Sequence, residues 1–147
     1  MKKLLLLVAM MSLLVPASFA GRNYAGIWGL NPTSLVAPVD TVFDGAALIT
    51  IRMQGNKLTL ISERPRIFNE YVLDGDDHKM STRLGDMSYS SSWEGDTLVI
   101  KRTPGKNSGY KVQFLRFSVS EDGIRLRITC TWEGDAQPRD VLGWERR

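Results

Sequence analysis

The chain has 147 residues, 43% of them hydrophobic, with 19 Lys and Arg against 16 Asp and Glu and a single cysteine. That length supports one domain around one core, and one cysteine excludes an internal disulfide framework. Lys2 and Lys3 stand in an acid-free leader, so the remainder carries 19 − 2 = 17 basic against 16 acidic residues, a net +1 that excludes nucleic acid binding by bulk charge.

Residues 1–20 read as a secretory signal peptide. Lys2 and Lys3 make a basic start, Leu4 to Val15 is apolar, and Ser18-Phe19-Ala20 places small residues at the −3 and −1 positions of a cut before Gly21. The apolar run is too short to span a bilayer comfortably, and no Cys follows it to take a lipid anchor. The expected mature domain therefore runs from Gly21 to Arg147, periplasmic or secreted, with no membrane span after cleavage.

Asn23 to Leu30 reads as a first strand, with Tyr24, Gly26, Trp28 and Leu30 on one face. Asn31 to Gly45 is an irregular connection carrying Pro32, Pro38 and an apolar Leu35-Val36-Ala37 patch. Ala46–Met53 and Lys57–Ser62 form a hairpin around Gln54-Gly55-Asn56. Ile67–Leu73, Lys79–Leu84, Met87–Trp93 and Thr97–Arg102 follow, separated by Asp- and Gly-rich turns, and Leu98 and Ile100 face inward on the last of them. A hairpin from Gly109 to Trp132 and a final strand from Arg139 to Arg146 complete the chain. Nine or ten short strands with no helical periodicity predict an all-β fold, a single antiparallel meander barrel or sandwich.

The hairpin admits a finer reading. Ile124, Leu126, Ile128, Cys130 and Trp132 alternate with Arg125, Arg127, Thr129 and Thr131, the pattern of a half-buried strand. Cys130 then reads as a small core residue rather than a reactive thiol. A turn at Ser120-Glu121-Asp122-Gly123 pairs Val119 with Ile124, Phe117 with Leu126 and Leu115 with Ile128. Apolar matching then requires a β-bulge at Phe114-Leu115, setting Val112 against Cys130 and Tyr110 against Trp132. The same register puts Arg116 opposite Arg127, with Glu145 of the last strand as a neutralising partner.

Gly26-Ile27-Trp28 has the G-x-W form found at the start of lipocalins, and Leu142, Trp144 and Arg146 share one face of the last strand. With Gly29-Leu30-Asn31-Pro32, Trp93-Glu94-Gly95-Asp96-Thr97-Leu98-Val99-Ile100, Ser118-Val119-Ser120-Glu121-Asp122-Gly123 and Gly143-Trp144-Glu145-Arg146-Arg147, the chain resembles small exported bacterial lipocalin-like (calycin-type) β-barrel domains of uncharacterised function. The resemblance implies a barrel of about 8–10 strands whose signature is Gly26, Trp28 and Arg146, the Arg covering the Trp at one end. The missing disulfide and the lack of a helical stretch before the last strand set the chain apart from secreted eukaryotic lipocalins.

Catalytic chemistry is not indicated. There is no GxSxG, HExxH, phosphate-binding Gly-rich loop or CxxC, and His78 is the only histidine. Asp74, Asp76 and Asp77 lack the later Glu of a calcium loop, so no metal and no cofactor are expected. Glu94 and Glu133 occupy matching turns rather than a glycosidase pair. Arg64 and Arg66 flank Pro65 in a loop that suits a barrel mouth or a solvated turn.

The remaining candidate is the interior, expected to be lined by Trp28, Met53, Tyr71, Trp93, Tyr110, Phe114 and Trp132. Such walls suit a small hydrophobic or aromatic ligand bound without catalysis. The alternative is a filled core carrying an exported enzyme inhibitor or a module for an envelope protein partner, acting through Arg64-Pro65-Arg66 and Asp74 to His78.

Overall fold

A computed structural model describes residues 22–30, 48–63, 66–82, 85–136 and 140–147. The expected leader, the Asn31–Gly45 connection, Arg64 and Pro65, and the side chain of Leu142 lie outside the described residues. Ten strands follow in chain order: β1 (Gly26–Leu30), β2 (Leu48–Gln54), β3 (Lys57–Ser62), β4 (Ile67–Val72), β5 (His78–Thr82), β6 (Gly85–Glu94), β7 (Thr97–Pro104), β8 (Gln113–Val119), β9 (Arg125–Trp132) and β10 (Asp140–Arg146). No helix occurs among the described residues, and the all-β antiparallel meander is the observed architecture.

Each strand pairs with its sequence neighbours except at one place. β1 pairs with both β2 and β10, which joins the chain's ends into one sheet of order β4-β3-β2-β1-β10-β9-β8-β7-β6-β5. Between β4 and β5 no ladder forms. Side chains bridge there instead: the Val72 N–H donates to Tyr89 Oη at 2.9 Å, and Ser91 Oγ donates to the Val72 carbonyl at 3.3 Å. The sheet is a nearly closed barrel, sealed by hydrogen bonds around all but one seam.

Period-two alternation fills its inside. Ile49 and Ile51 of β2, Leu58 and Leu60 of β3, Leu98 and Ile100 of β7, Leu115 and Phe117 of β8, and Leu126, Ile128 and Cys130 of β9 are buried together. Each large side chain removed from water contributes about 1.5–3 kcal/mol, so packing stands in for the missing internal disulfides.

One end of the barrel is plugged by its own N-terminal segment. Trp28 and Arg146 are directly opposed on β1 and β10, and the Arg146 Cζ lies 4.5 Å from the Trp28 ring centroid. The guanidinium donates to the carbonyls of Asn23 (2.8 Å), Ala25 (2.9 Å) and Gly123 (2.9 Å), so it ties residues 23–25 to the β8–β9 turn. Gly26 makes room: a Cβ there would stand 3.2 Å from Arg146 Nη1, and its φ of 152° is one that residues with side chains avoid. Trp28 Nε1 donates to the Tyr24 carbonyl at 3.0 Å, and the buried Tyr24 hydroxyl reaches the carbonyls of Asp96 (2.6 Å) and Phe117 (2.9 Å). Arg22 completes the plug through the Val119 carbonyl (2.9 Å) and Asp96 (3.2 Å).

The long hairpin departs from its expected register. Val119 pairs with Leu126, Phe117 with Ile128, Leu115 with Cys130 and Gln113 with Trp132, two residues away from the expected pairing and with no bulge at Phe114-Leu115. The turn's own polar groups set this. The Ser120 N–H donates to the Arg125 carbonyl, the Arg125 N–H donates to Ser120 Oγ, and Asp122 accepts from the Ile124 N–H. Gly123, at φ 72°, closes the loop. Ile124 is thereby turned out to 49% exposure instead of starting the inner face. Arg116 consequently faces Thr129, not Arg127, and pairs with Glu94 at 3.4 Å, while Glu145 faces Arg125.

Arg146 and Trp28 support each other, so their losses should not add. Arg146→Ala should cost about 2–3 kcal/mol and Trp28→Ala about 3–5 kcal/mol. In chemical denaturation the double variant should fall short of the sum by about 0.5–2 kcal/mol. Strict additivity would show that the ring and the guanidinium are not coupled.

Candidate functional site

Registers place one row of inward side chains across five consecutive strands: His78, Tyr89, Arg102, Gln113 and Trp132 are successive partners on β5, β6, β7, β8 and β9. At its centre is a charge. Arg102 is 1% exposed, on the same face as Leu98 and Ile100. Its Nη1 donates to Gln113 Oε1 at 3.2 Å, and Gln113 Nε2 lies 3.0 Å from Cys130 Sγ. Across the interior, the Arg102 Cζ stands 5.9 Å from the ring centroid of Tyr71 on β4. Tyr71 in turn meets the ring of Tyr89 edge-on at 5.1 Å.

Several buried polar atoms on β3, β4 and β7 form no hydrogen bond of ordinary geometry within the protein. They are Arg102 Nε and Nη2, Tyr71 Oη, Asn69 Nδ2 and Ser62 Oγ. Buried polar groups are ordinarily paired, because stripping them of water without replacement is costly. Burial, opposed in part by the nearby Arg102 guanidinium, pushes the Tyr71 phenol above its ordinary pKa, so it stays neutral and able to donate.

At the open seam, His78 stacks on Tyr89 with centroids 5.3 Å apart, and its Nε2 lies 2.8 Å from Asp74 Oδ1. His78 thus begins strand β5. That bond, together with the Asp76 N–H, holds the Asp74 carboxyl below its ordinary pKa. A depressed carboxylate stabilises the fold above its unfolded pKa and loses that contribution as pH falls through the folded value.

The residues expected to line the interior separate into groups. Tyr71 is fully buried, and Met53, Trp93 and Trp132 pack partly buried against the core. Trp28 belongs to the plugged end, where Trp93 also meets Tyr24 at 6.0 Å. Phe114 and Tyr110 are not interior residues. Phe114 points outward between Gln113 and Leu115, under the Arg116 guanidinium at 5.6 Å, and Tyr110 precedes β8 at 49% exposure. Both misplacements follow from the absent bulge: β8 keeps one phase through Gln113 and Leu115, which leaves Phe114 on the outer face. Arg102 and Gln113 were missed by composition-led reading, although Arg102 continues the inward alternation of Leu98 and Ile100.

No family model and no curated protein match the chain. Solved structures do, at low identity. Fatty-acid-binding protein 1 of Echinococcus granulosus is 13% identical, with a TM-score of 0.59 over 84% of this chain and 96% of that one. A REP1-NXSQ fatty acid transporter is 14% identical, with a TM-score of 0.59 over 84% of this chain and 95% of that one. Secretory abundant heat soluble protein 4 of Ramazzottius varieornatus is 14% identical, with a TM-score of 0.61 over 86% and 96%. At such identities the likeness shows the fold, a calycin-like barrel.

Tyr89→Phe keeps the ring stack and removes the acceptor of the Val72 N–H. It should lower stability by about 1–3 kcal/mol. Amide exchange followed by NMR should quicken at Val72, and unchanged exchange there would argue against the side-chain bridge across the seam.

Proposed function

We propose that the protein is an exported binding protein that holds a small hydrophobic or aromatic molecule within its barrel and does not transform it. The observation that carries this reading is the inner surface around Tyr71, Tyr89 and Trp132. It is aromatic and aliphatic, yet holds buried polar atoms that the protein leaves without partners. A filled core has no reason to keep such atoms, whereas a binding site uses a few of them to orient an otherwise apolar guest. Met53, Tyr71, Trp93 and Trp132 are the wall residues we assign to contact with that guest, and Trp28 the floor beneath it. Two of the structural neighbours are described as fatty-acid-binding or fatty-acid-transporting proteins, which supports a hydrophobic ligand class. Export rests on the basic, apolar and small-residue pattern of residues 1–20.

One observation favours a second reading, a module for an envelope protein partner. Ile27 and Leu48 are exposed on the outside of adjacent strands, and Phe68 of β4 is 68% exposed beside the open seam.

Titration with the neutral fluorophore N-phenyl-1-naphthylamine distinguishes the two. Saturable binding at one site per chain, with quenching of tryptophan emission, is expected. Absence of saturable binding, with tryptophan emission unchanged, would leave the interaction module as the better reading.

A further inference from the structure

Strand β4 is paired along one side only. β3 takes that side, and the other faces the seam. Two neighbouring residues fix which backbone groups point each way. The Leu73 N–H donates to the Asn56 carbonyl at 2.6 Å, in line with the β3 ladder. The Val72 N–H and carbonyl both turn to Tyr89 and Ser91 across the seam. Backbone groups alternate sides along a strand, so Phe68 and Glu70 turn theirs to the seam as well. The bridging side chains stay at Val72 and Gly75. At Phe68 and Glu70 the backbone has no partner on that side among the described residues.

Proteins ordinarily blunt such an edge with a proline, a bulge or a lysine. This edge does the reverse. β4 reads IFNEYV, without Pro or Gly, and its Phe68 is 68% exposed, the most of any large apolar side chain among the described residues. Phe68 also ends an outward row, for Ile27, Thr50, Ile61 and Phe68 are successive partners on β1 to β4. Arg66, Phe68 and Glu70 are exposed and alternate with the buried Ile67 and Asn69. Lys57 holds Glu70 Oε1 at 2.9 Å, which leaves Oε2 for a second cation.

These three side chains are complementary to themselves. When two copies of β4 run antiparallel about Phe68, the two Phe68 rings meet and Arg66 of each copy faces Glu70 of the other. A register centred on Asn69 sets Phe68 against Glu70, and one centred on Glu70 sets like charges together, so charge selects the first. A two-fold axis requires a patch of this kind.

We propose that β4 is a self-association edge, through which two copies of the chain pair antiparallel into a two-fold dimer. Each Phe68 exchanges both backbone bonds with its counterpart, and two Arg66–Glu70 ion pairs flank the contact. The outward row from Ile27 to Phe68 then runs on into the second copy. This goes beyond ligand binding and does not depend on it.

The test is sedimentation velocity of the purified chain from about 1 to 200 μM, the range in which a modest interface shows its association. The unmodified chain should shift from monomer to dimer as concentration rises. Arg66→Glu and Glu70→Arg should each weaken the dimer about 10- to 100-fold, since each sets like charges opposite at two places. An equimolar mixture of these two variants should recover the dimer, because one chain then carries only acidic and the other only basic side chains at the two positions. Phe68→Pro removes a seam-facing N–H while the β3 ladder runs through the alternate residues, so it should leave a monomer. If that variant does not fold, the charge-reversed pair still decides. A chain that stays monomeric throughout would overturn the proposal. So would a dimer that both charge reversals leave unchanged, since its contact would lie elsewhere.

Discussion

A guanidinium held out of water is the constraint on which the account depends. Arg102 sits inside a barrel whose other inward residues are mostly aliphatic or aromatic, and one of its three nitrogens is partnered. Folding places it there because β7 alternates strictly: with Leu98 and Ile100 in the core, residue 102 must also face inward. Replacing such a charge by an apolar residue often leaves a fold as stable or more so.

The two arginines on the inner face divide the labour. Arg146 is satisfied within the protein, by three backbone carbonyls and the face of Trp28, and its role is to bind the N-terminal segment across one end. Arg102 offers its unmatched edge to the interior. The same side-chain chemistry thus closes the barrel at one place and leaves it unsaturated at another. The open seam between β4 and β5 adds a third feature. There, side-chain bonds from Tyr89 and Ser91 replace a backbone ladder, and a seam held by few bonds opens at lower free energy than a continuous ladder.

Much of the architecture was legible from the amino acids. Alternation at Leu58–Leu60, Leu98–Ile100 and Leu126–Ile128–Cys130, with turn residues between, specified strands and a meander because the strand period is local physics. The pairing of the long hairpin was not legible by apolar matching. Its register follows from hydrogen bonds of Ser120 and Asp122 in the turn, and a shift of two residues preserves every face while changing every partner. Tyr110 and Phe114 were expected inside because of a bulge that the continuous β8–β9 pairing lacks. The site's centre was partly legible: Arg102 could be counted onto the inner face, but its partnership with Gln113 and Tyr71 joins β7 to β8 and β4. The missing ladder at the β4–β5 seam is equally non-local, since nothing in either strand marks it as unpaired.

The side-chain NMR signal of Arg102 Nε–H is the most direct test of this account, because it reports from inside the barrel itself. Addition of N-phenyl-1-naphthylamine should move that resonance and saturate at one ligand per chain. A resonance that stays in place while tryptophan emission reports a filled barrel would contradict it.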